Sequence, residues 1–435
     1  MKRLIYVLLG LAPLGMAAQA PMTLRQCIDY ALERNVQVKQ QDLMRRKGEV
    51  ALSTARNSRL PEVSASGSQS FNFGRGLTAE NTYVGRNTQT TNFGVNASLP
   101  LFTGFRLPNQ TAQARLDLQA ATADLQKVRE DLSIQVAQSY LEVLYKKDIC
   151  QVSRNQLALS RKQKERVQAF FENKKASGLE LSEADSRVAQ DELTVVQDEN
   201  AYKLALLDLS QLLEMPTPDS HAVCPPDDAP PAAVQGSPQE IFSVAATEKP
   251  AIRAEELRIE SAGRGIRIAR SGYWPTLSLN AGLGSSFYKT AGYSNTPFGR
   301  QMRDNFNKSK GLSLNIPIFD HFTTRNNIRQ AKLEYESRQQ SLEATRKSLY
   351  KEIQQAWYNA VASQQKYTSS IFAERAAEEA FLLMTKKYEN GKANATEYDE
   401  TRTKRIKAQF DRISALYDYL FRTKILDFYR GREIR

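Results

Sequence analysis

Few residues in this chain could do covalent chemistry. The 435 residues include two histidines, His221 in a proline-rich stretch and His321 just after a strand-like segment. The three cysteines, Cys27, Cys150 and Cys224, are an odd number, lie far apart and contain no C-x-x-C pair. They specify neither a disulfide framework nor a metal site and read as unpaired structural thiols. No H-E-x-x-H, G-x-S-x-G, Walker loop or complete G-x-G-x-x-G occurs. The sequence therefore offers no catalytic, metal or cofactor residues, and any process needing energy must draw it from a partner. What the chain does offer is a pattern for surface chemistry: short runs in which apolar and small polar residues alternate.

The main run is Thr91 to Phe102, where Phe93, Val95, Ala97 and Leu99 alternate with Asn92, Gly94, Asn96 and Ser98. It is echoed from Gly311 to Phe319, where Leu312, Leu314 and Ile316 alternate with Ser313 and Asn315. A period of two puts apolar side chains on one face of a strand and polar ones on the other. Two more runs behave alike. Val63, Ala65, Gly67, Gln69, Phe71 and Phe73 alternate with Ser64, Ser66, Ser68, Ser70 and Asn72; Leu277, Leu279, Ala281 and Leu283 alternate with Thr276, Ser278, Asn280 and Gly282. Strands of about ten residues are long enough to cross a bilayer at a tilt. Phe71, Phe73, Phe93, Phe102, Phe287, Tyr288 and Phe319 read as strand-end residues and are the candidates for an aromatic girdle at the membrane interfaces, although β-propensity alone would also favour such positions.

Each strand pair hands over to long helical patterns. A T-x-x-Q capping box at Thr23–Gln26 opens a short amphipathic helix, and a second covers roughly 36–58. After the strands, a helix is expected from about Pro108 to Lys175 and a returning one from Leu179 to about Leu213, broken at Ala176-Ser177-Gly178. Leu118, Leu125 and Leu132 recur at seven, a coiled-coil-like seam. About 65 helical residues would extend roughly 100 Å, more than a globular core needs. Residues 215–238 hold seven of the chain's 16 prolines and read as a linker. The same order then repeats: short helices at 237–247 and 251–270, two strands separated by a long polar loop, and helices at about 325–388 and 396–428. Pro100 and Pro317 lie 217 residues apart (317 − 100), and the same offset carries Leu125 to Leu342, Leu132 to Leu349, Tyr140 to Trp357 and Leu209 to Leu426. That registration indicates tandem structural repeats at 21–214 and 239–435. Tyr140 and Trp357 read as packing residues.

The N-terminus has Lys2 and Arg3, an apolar run from Leu4 to Leu14 and small residues at Ala18-Gln19-Ala20, the pattern of a secretory signal peptide over residues 1–20. No cysteine at the cleavage region suggests a lipid anchor. No internal apolar run approaches the roughly 18 residues of a spanning helix. The formal charge of +12 would suit nucleic acid, but the cations are interspersed with acids along helical patterns in an exported chain, so no nucleic-acid partner is expected. Four strands cannot close a barrel, and open edges are not tolerated in lipid. The chain must therefore oligomerise. The small residues on the polar faces, Ser64, Ser66, Ser68, Asn96, Ser98 and Ser278, suit a wide, wet lumen.

Taken together, the T-L-x6-A-L opening (Thr23, Leu24, Ala31, Leu32), the L-P-L-F and I-P-I-F strand exits, the repeated layout and the turn Tyr388-Glu-Asn-Gly-Lys-Ala393 resemble the TolC-like outer-membrane efflux protein family over essentially the whole mature chain. The resemblance implies an α+β membrane protein: a homotrimer in the cell outer membrane, four transmembrane strands per chain forming a shared 12-stranded β-barrel, with long antiparallel helical hairpins building an α-barrel through the periplasm. It also implies partners, a periplasmic adaptor and an inner-membrane pump, and a role as the exit duct for efflux or type I secretion. On the family pattern, Glu397 and Glu400, aligned from Gly391, would form a periplasmic constriction, although the family's best-known members carry Asp there. A glutamate at Glu397 is also what capping by Asn394 would select; Ser177 and Glu180 repeat the arrangement. The turns holding Lys174, Lys175, Ser177 and Gly178, and Gly391, Lys392 and Asn394, would dock the adaptor; the plain reading is solvated loops. The competing architecture is a periplasmic coiled-coil adaptor or spacer without a pore, which the paired amphipathic strands and the lack of a lipoyl-like β segment argue against.

Overall fold

Alternating and helical periods segregate in the computed structural model as they do along the chain. It describes residues 21–77, 81–215, 223–224 and 233–432. The signal peptide at 1–20 and most of the proline-rich linker, His221 included, lie outside the described residues. The helices are α1 (Leu24–Arg34), α2 (Val36–Asn57), α3 (Arg106–Glu172), α4 (Gly178–Leu212), α5 (Pro238–Glu248), α6 (Pro250–Arg270), α7 (Phe298–Asp304), α8 (Thr323–Glu389) and α9 (Ala395–Tyr429). The strands are β1 (Glu62–Asn72), β2 (Arg75–Leu77), β3 (Tyr83–Gly85), β4 (Thr88–Thr103), β5 (Thr276–Thr290) and β6 (Asn307–Asn315). Among the described residues no helix is long and apolar enough to cross a membrane.

Three boundaries differ from expectation. β6 ends at Asn315, so Ile316 to Phe319 follow the strand rather than extending it. The polar loop after β1 carries the small antiparallel pair β2–β3, and the loop after β5 carries α7. The β2–β3 pair is a local hairpin of three-residue strands, too short for an alternating run to mark, and α7 is held by contacts with β5, so a residue-by-residue pattern reveals neither.

The chain divides into two compact units. The first comprises residues 21–40, 126–249 and 347–432 of the described chain and is helical. Its core is an apolar seam: Leu132, Val136, Tyr140, Val143 and Leu144 of α3, Leu349, Ile353, Ala356 and Ala360 of α8, with Leu209 of α4 and Leu426 of α9, all buried. Steps of three and four residues place such positions on one helical stripe. Capping boxes at Thr23, Ser177, Ser237 and Asn394 satisfy the first amides of α1, α4, α5 and α9. Tyr140 and Trp357 do more than pack. The Tyr140 hydroxyl is shared between the carbonyls of Met22 (3.0 Å) and Cys224 (2.5 Å), and Trp357 Nε1 donates to the carbonyl of Gly236 (2.9 Å). Met22 and Gly236 each immediately precede an N-cap, so both aromatics hold the chain where a short helix begins.

The second unit comprises residues 41–125 and 250–346. Its sheet is antiparallel with order β1-β4-β5-β6, leaving β1 and β6 as edges. The polypeptide leaves the sheet through the same corner twice. Gly104 and Phe105 have φ of 60° and 64°, and His321 and Phe322 have φ of 55° and 61°. Two successive left-handed residues reverse the chain sharply into α3 and α8. A Cβ on Gly104 would lie 2.7 Å from the carbonyl oxygen of Ser271 and from Trp274 Cβ, so this corner has no room for a side chain.

Candidate functional site

The pairing register separates the sheet into two chemically distinct faces, because residues directly opposite each other across strands share a face. One carries Val63, Ala65, Gly67 and Phe71 of β1, Phe93, Val95, Ala97 and Leu99 of β4, Leu277, Leu279, Ala281, Leu283 and Phe287 of β5, and Leu312 and Leu314 of β6. The other carries Ser64, Ser66, Ser68 and Ser70, then Asn92, Gly94, Asn96 and Ser98, then Ser278, Asn280, Gly282 and Gly284, then Ser309, Gly311 and Ser313. Val63, Val95, Leu283, Leu312 and Leu314 are all more than 40% exposed, so this apolar face has no protein core of its own to cover it. The opposite face projects side chains no larger than asparagine over most of its height and suits water.

Aromatic rings gather at both ends of the sheet. At the end nearer the helical corners, Phe102 lies edge-on to Phe105 (5.3 Å, 87°), Phe105 meets Trp274 at 6.2 Å, and Phe319 lies edge-on to Phe322 (5.5 Å, 87°). At the far end stand Phe71, Phe73 and Phe287, the last packed against Phe298 at 5.1 Å. Of the seven candidate girdle residues, two depart from the expected placement. Phe93 is inside β4, its ring 3.4 Å from where a side chain on Gly67 would start, so it fills a glycine gap rather than marking a strand end. Tyr288 follows Phe287 in the same strand and so faces the small polar side, with Arg86 over its ring at 5.8 Å. Phe105, Trp274 and Phe322 lie beyond the alternating runs; the available signal was closeness to the Pro-aliphatic-Phe exits for Phe105 and Phe322 and the Trp274-Pro275 entry to β5 for Trp274.

The two hairpin turns of the helical unit are built alike. α3 ends with Lys174 at φ 56°, Lys175 N–H donating to Phe170 O (2.7 Å) and Lys174 N–H to Phe171 O (2.9 Å). α8 ends with Gly391 at φ 69°, Lys392 N–H donating to Lys387 O (2.9 Å) and Gly391 N–H to Tyr388 O (3.1 Å). These paired bonds are the Schellman closure. Ser177 and Asn394 then cap the returning helices, and Gly178 is the first residue of α4. Glu397 N–H donates to Asn394 Oδ1 (2.8 Å), and Asn394 N–H donates to the Glu397 carboxylate (3.2 Å). Glu400, one turn on, is exposed and pairs with Lys404 at 2.7 Å, and that hydrogen bond holds its carboxyl below the usual range.

Beside these turns lies a polar cluster absent from the sequence reading. Arg402 is the most enclosed cation here, its side chain 5% exposed. Its guanidinium binds Asp191 of α4, donates to Ser160 Oγ of α3 (2.6 Å) and stands 3.5 Å from Asp399. Arg187 pairs with the same Asp399, and Tyr388 and Tyr398 stack at 4.8 Å beside it. Three helices, α3, α4 and α9, are thus tied by one arginine. Its position on the buried row Tyr398, Arg402, Ile413, Leu420 was the missed signal, a cation at a seam position. Among the described residues no cluster of histidine, cysteine or acidic side chains could hold a metal. The thiols are unpaired, and burial pushes Cys27 up to about 12.

Comparison with known proteins agrees with this geometry. The chain is 23% identical over 310 residues to the outer membrane efflux protein BepC of Brucella suis biovar 1, covering 70% of this chain and 62% of BepC, so the match spans less than two thirds of that relative. It is 23% identical over 406 residues to the outer membrane protein TolC of Vibrio cholerae, covering 88% and 83%. The crystal structure of the Campylobacter jejuni CmeC outer membrane channel shares the fold, with a TM-score of 0.78 at 16% identity over 94% of this chain and 85% of that one. The family described as Outer membrane efflux protein matches residues 27–214 and again 241–429. Because these two matches cover most of the sequence, the chain belongs to the outer membrane efflux protein family.

Proposed function

We propose that this protein is an outer-membrane exit duct: a channel, not an enzyme, that passes substrates delivered by an inner-membrane pump and a periplasmic adaptor to the cell exterior, in efflux or type I secretion. The observation that carries this reading is the two-faced sheet with both edges open. An apolar face suits lipid, a face of serine, asparagine and glycine suits a water-filled lumen, and unpaired edges in lipid demand neighbouring copies. Three copies would supply a 12-stranded barrel, each sheet pairing β6 to the next chain's β1. The helical hairpins then belong to the periplasm, where their charged surfaces are solvated.

The molecule is organised as tandem repeats, 21–214 and 239–435, joined by the linker at 215–238. In support, α3 and α8 are both 67 residues long and α4 and α9 both 35. The adaptor docks on the two Schellman turns, at Lys174, Lys175, Ser177 and Gly178 and at Gly391, Lys392 and Asn394. Glu397 and Glu400 narrow the periplasmic end, although capping already accounts for the first and Lys404 partly neutralises the second.

The test is native mass spectrometry of mature protein extracted in mild detergent from separated outer membranes, followed by conductance in planar bilayers. Three-chain particles that conduct are expected. A monomer, or recovery in the soluble periplasmic fraction, would overturn the duct and favour a coiled-coil adaptor.

A further inference from the structure

Charge enters the apolar face of the sheet only on β5 and β6, toward the strand ends that flank the loop carrying α7. From Val63 to Phe71 on β1, Gln89 to Leu99 on β4 and Leu277 to Phe287 on β5, that face holds no ionisable residue. Then Lys289 follows Phe287 on β5, and on β6 Lys308 and Lys310, opposite Leu283 and Ala281, precede Leu312 and Leu314 in the same alternating row. Arg300 and Arg303 of α7 join them. All five cations are exposed, and none makes a salt bridge among the described residues. Asp304 is the one acid between Glu260 and Asp320.

The position of α7 is fixed. β6 pairs with β5 only up to Gly284, leaving the edge of β5 from Ser285 to Thr290 without a strand partner. Side chains from α7 and the residue after it take that place. Gln301 accepts from Tyr288 N–H (2.9 Å) and donates to Tyr288 O (2.9 Å), and Asn305 donates to Ser286 O (2.6 Å). Ser285 Oγ donates to Met302 O (2.6 Å) and Phe298 packs on Phe287, both from the apolar side of the sheet. The helix is therefore clamped against the lipid side, with Phe298 and Phe306 half exposed beside its two arginines.

We propose that this rim, made of Lys289, Arg300, Arg303, Lys308 and Lys310, binds the phosphate groups of phosphorylated glycolipid in the outer leaflet of the surrounding membrane. The inference rests on the duct reading, which places this end of the sheet at the cell exterior. Charge complementarity selects the occupant: unpaired cations flanked by aromatic rings, on the lipid side and continuous with an apolar row, match an anionic headgroup above acyl chains. Lysine stems lie along apolar surface while the ammonium reaches the interface. Neutral headgroups would leave five cations uncompensated. The contact is electrostatic and weakens with added salt.

The test titrates the mature protein in neutral detergent with bis-phosphorylated lipid A, reading lipid adducts by native mass spectrometry, with monophosphoryl lipid A and phosphatidylcholine as controls. Wild-type protein is expected to take bis-phosphorylated lipid A at least about tenfold more tightly than phosphatidylcholine, with the monophosphoryl form between. R300Q/R303Q and K308Q/K310Q should each lose most of that preference, and K308R/K310R should keep it. Glutamine variants that bind like wild type, or equal binding of all three lipids, would overturn the inference. Bilayer conductance separates the two readings. Protein that conducts but shows no phosphate preference sinks the lipid site alone, whereas protein that neither fractionates with outer membranes nor conducts sinks the duct and this site with it.

Discussion

The two halves of the chain reach the same backbone at corresponding points with different residues, and each half has a glycine where the other does not. At the strand-to-helix corner the first half uses Gly104 and the second His321, both with positive φ. At the hairpin turn the order is reversed: Lys174 in the first half, Gly391 in the second. The backbone path is the shared requirement, and glycine is one way to meet it. Where glycine is retained, its neighbours explain why in one case only. Gly104 is wedged against Ser271 and Trp274, whereas a side chain on Gly391 would meet nothing within 4 Å. A second contrast concerns Arg402, which is buried among α3, α4 and α9. Its counterpart at the 217-residue offset (402 − 217), Asp185, sits in a half-exposed pair with Lys164 at 2.7 Å.

That last contrast should give the largest difference. Removing one partner of a buried ionic cluster strands the others, so Arg402→Ala should cost about 3 kcal/mol, whereas Asp185→Ala should cost less than about 1 kcal/mol. Guanidinium titration of the helical circular dichroism of detergent-solubilised protein measures both; equal losses would mean the two positions are energetically alike. The glycines come next. Gly104→Ala should cost about 2 kcal/mol through left-handed strain and collision, Gly391→Ala about 1 kcal/mol through strain alone, and Lys174→Gly should be neutral or slightly stabilising. A Gly104→Ala protein that melts with wild type would remove the distinction between the corner and the turn.

Smaller and symmetric effects are expected at the caps. Ser177→Ala and Asn394→Ala should each cost about 1 kcal/mol, because each side chain accepts from one first-turn amide. If Asn394→Ala alone reduces single-channel conductance or cation preference, the second turn has a role beyond capping. The least effect at neutral pH is at Cys27, which occupies in α1 the buried place that Ile241, 214 residues on (241 − 27), occupies in α5. Its thiol ionises at about 12 in the folded protein rather than at the ordinary 9.0. The unfolded chain therefore loses this proton first, and stability held below pH 9.0 is lost as the pH rises toward about 12. Alkaline melts should show this loss in wild type, and Cys27→Val should abolish that component.

The repeated pattern also shows which information is local. Period-two alternation and helical seams depend on residues a few places apart, so all four long strands, both hairpins, the N-caps at Thr23, Ser177 and Asn394 and the small polar face could be read directly from the sequence. The refinements came from contacts between distant segments. The short helices correspond at an offset of 214 (237 − 23) and the hairpins at 217, because the strand–loop–strand segment from Pro275 to Pro317 (317 − 275 = 42) is three residues longer than that from Pro61 to Pro100 (100 − 61 = 39). A period of two cannot put the neighbours Phe287 and Tyr288 on one face, and the register divided them.

The sequence by itself determined the long elements, their order and the chemistry of each long strand's faces, because these follow from side-chain spacing along a single element. Only the tertiary structure decided which charges are buried and which edges are covered. Arg402 meets Ser160 and Asp191 across separations of 242 and 211 residues, and no local period records such a meeting. Likewise Gln301 and Asn305 look like ordinary loop amides until the early end of β6 leaves β5 with free backbone groups for them to bind. Backbone hydrogen bonds must be satisfied somewhere, and which segment satisfies them is settled when the chain packs.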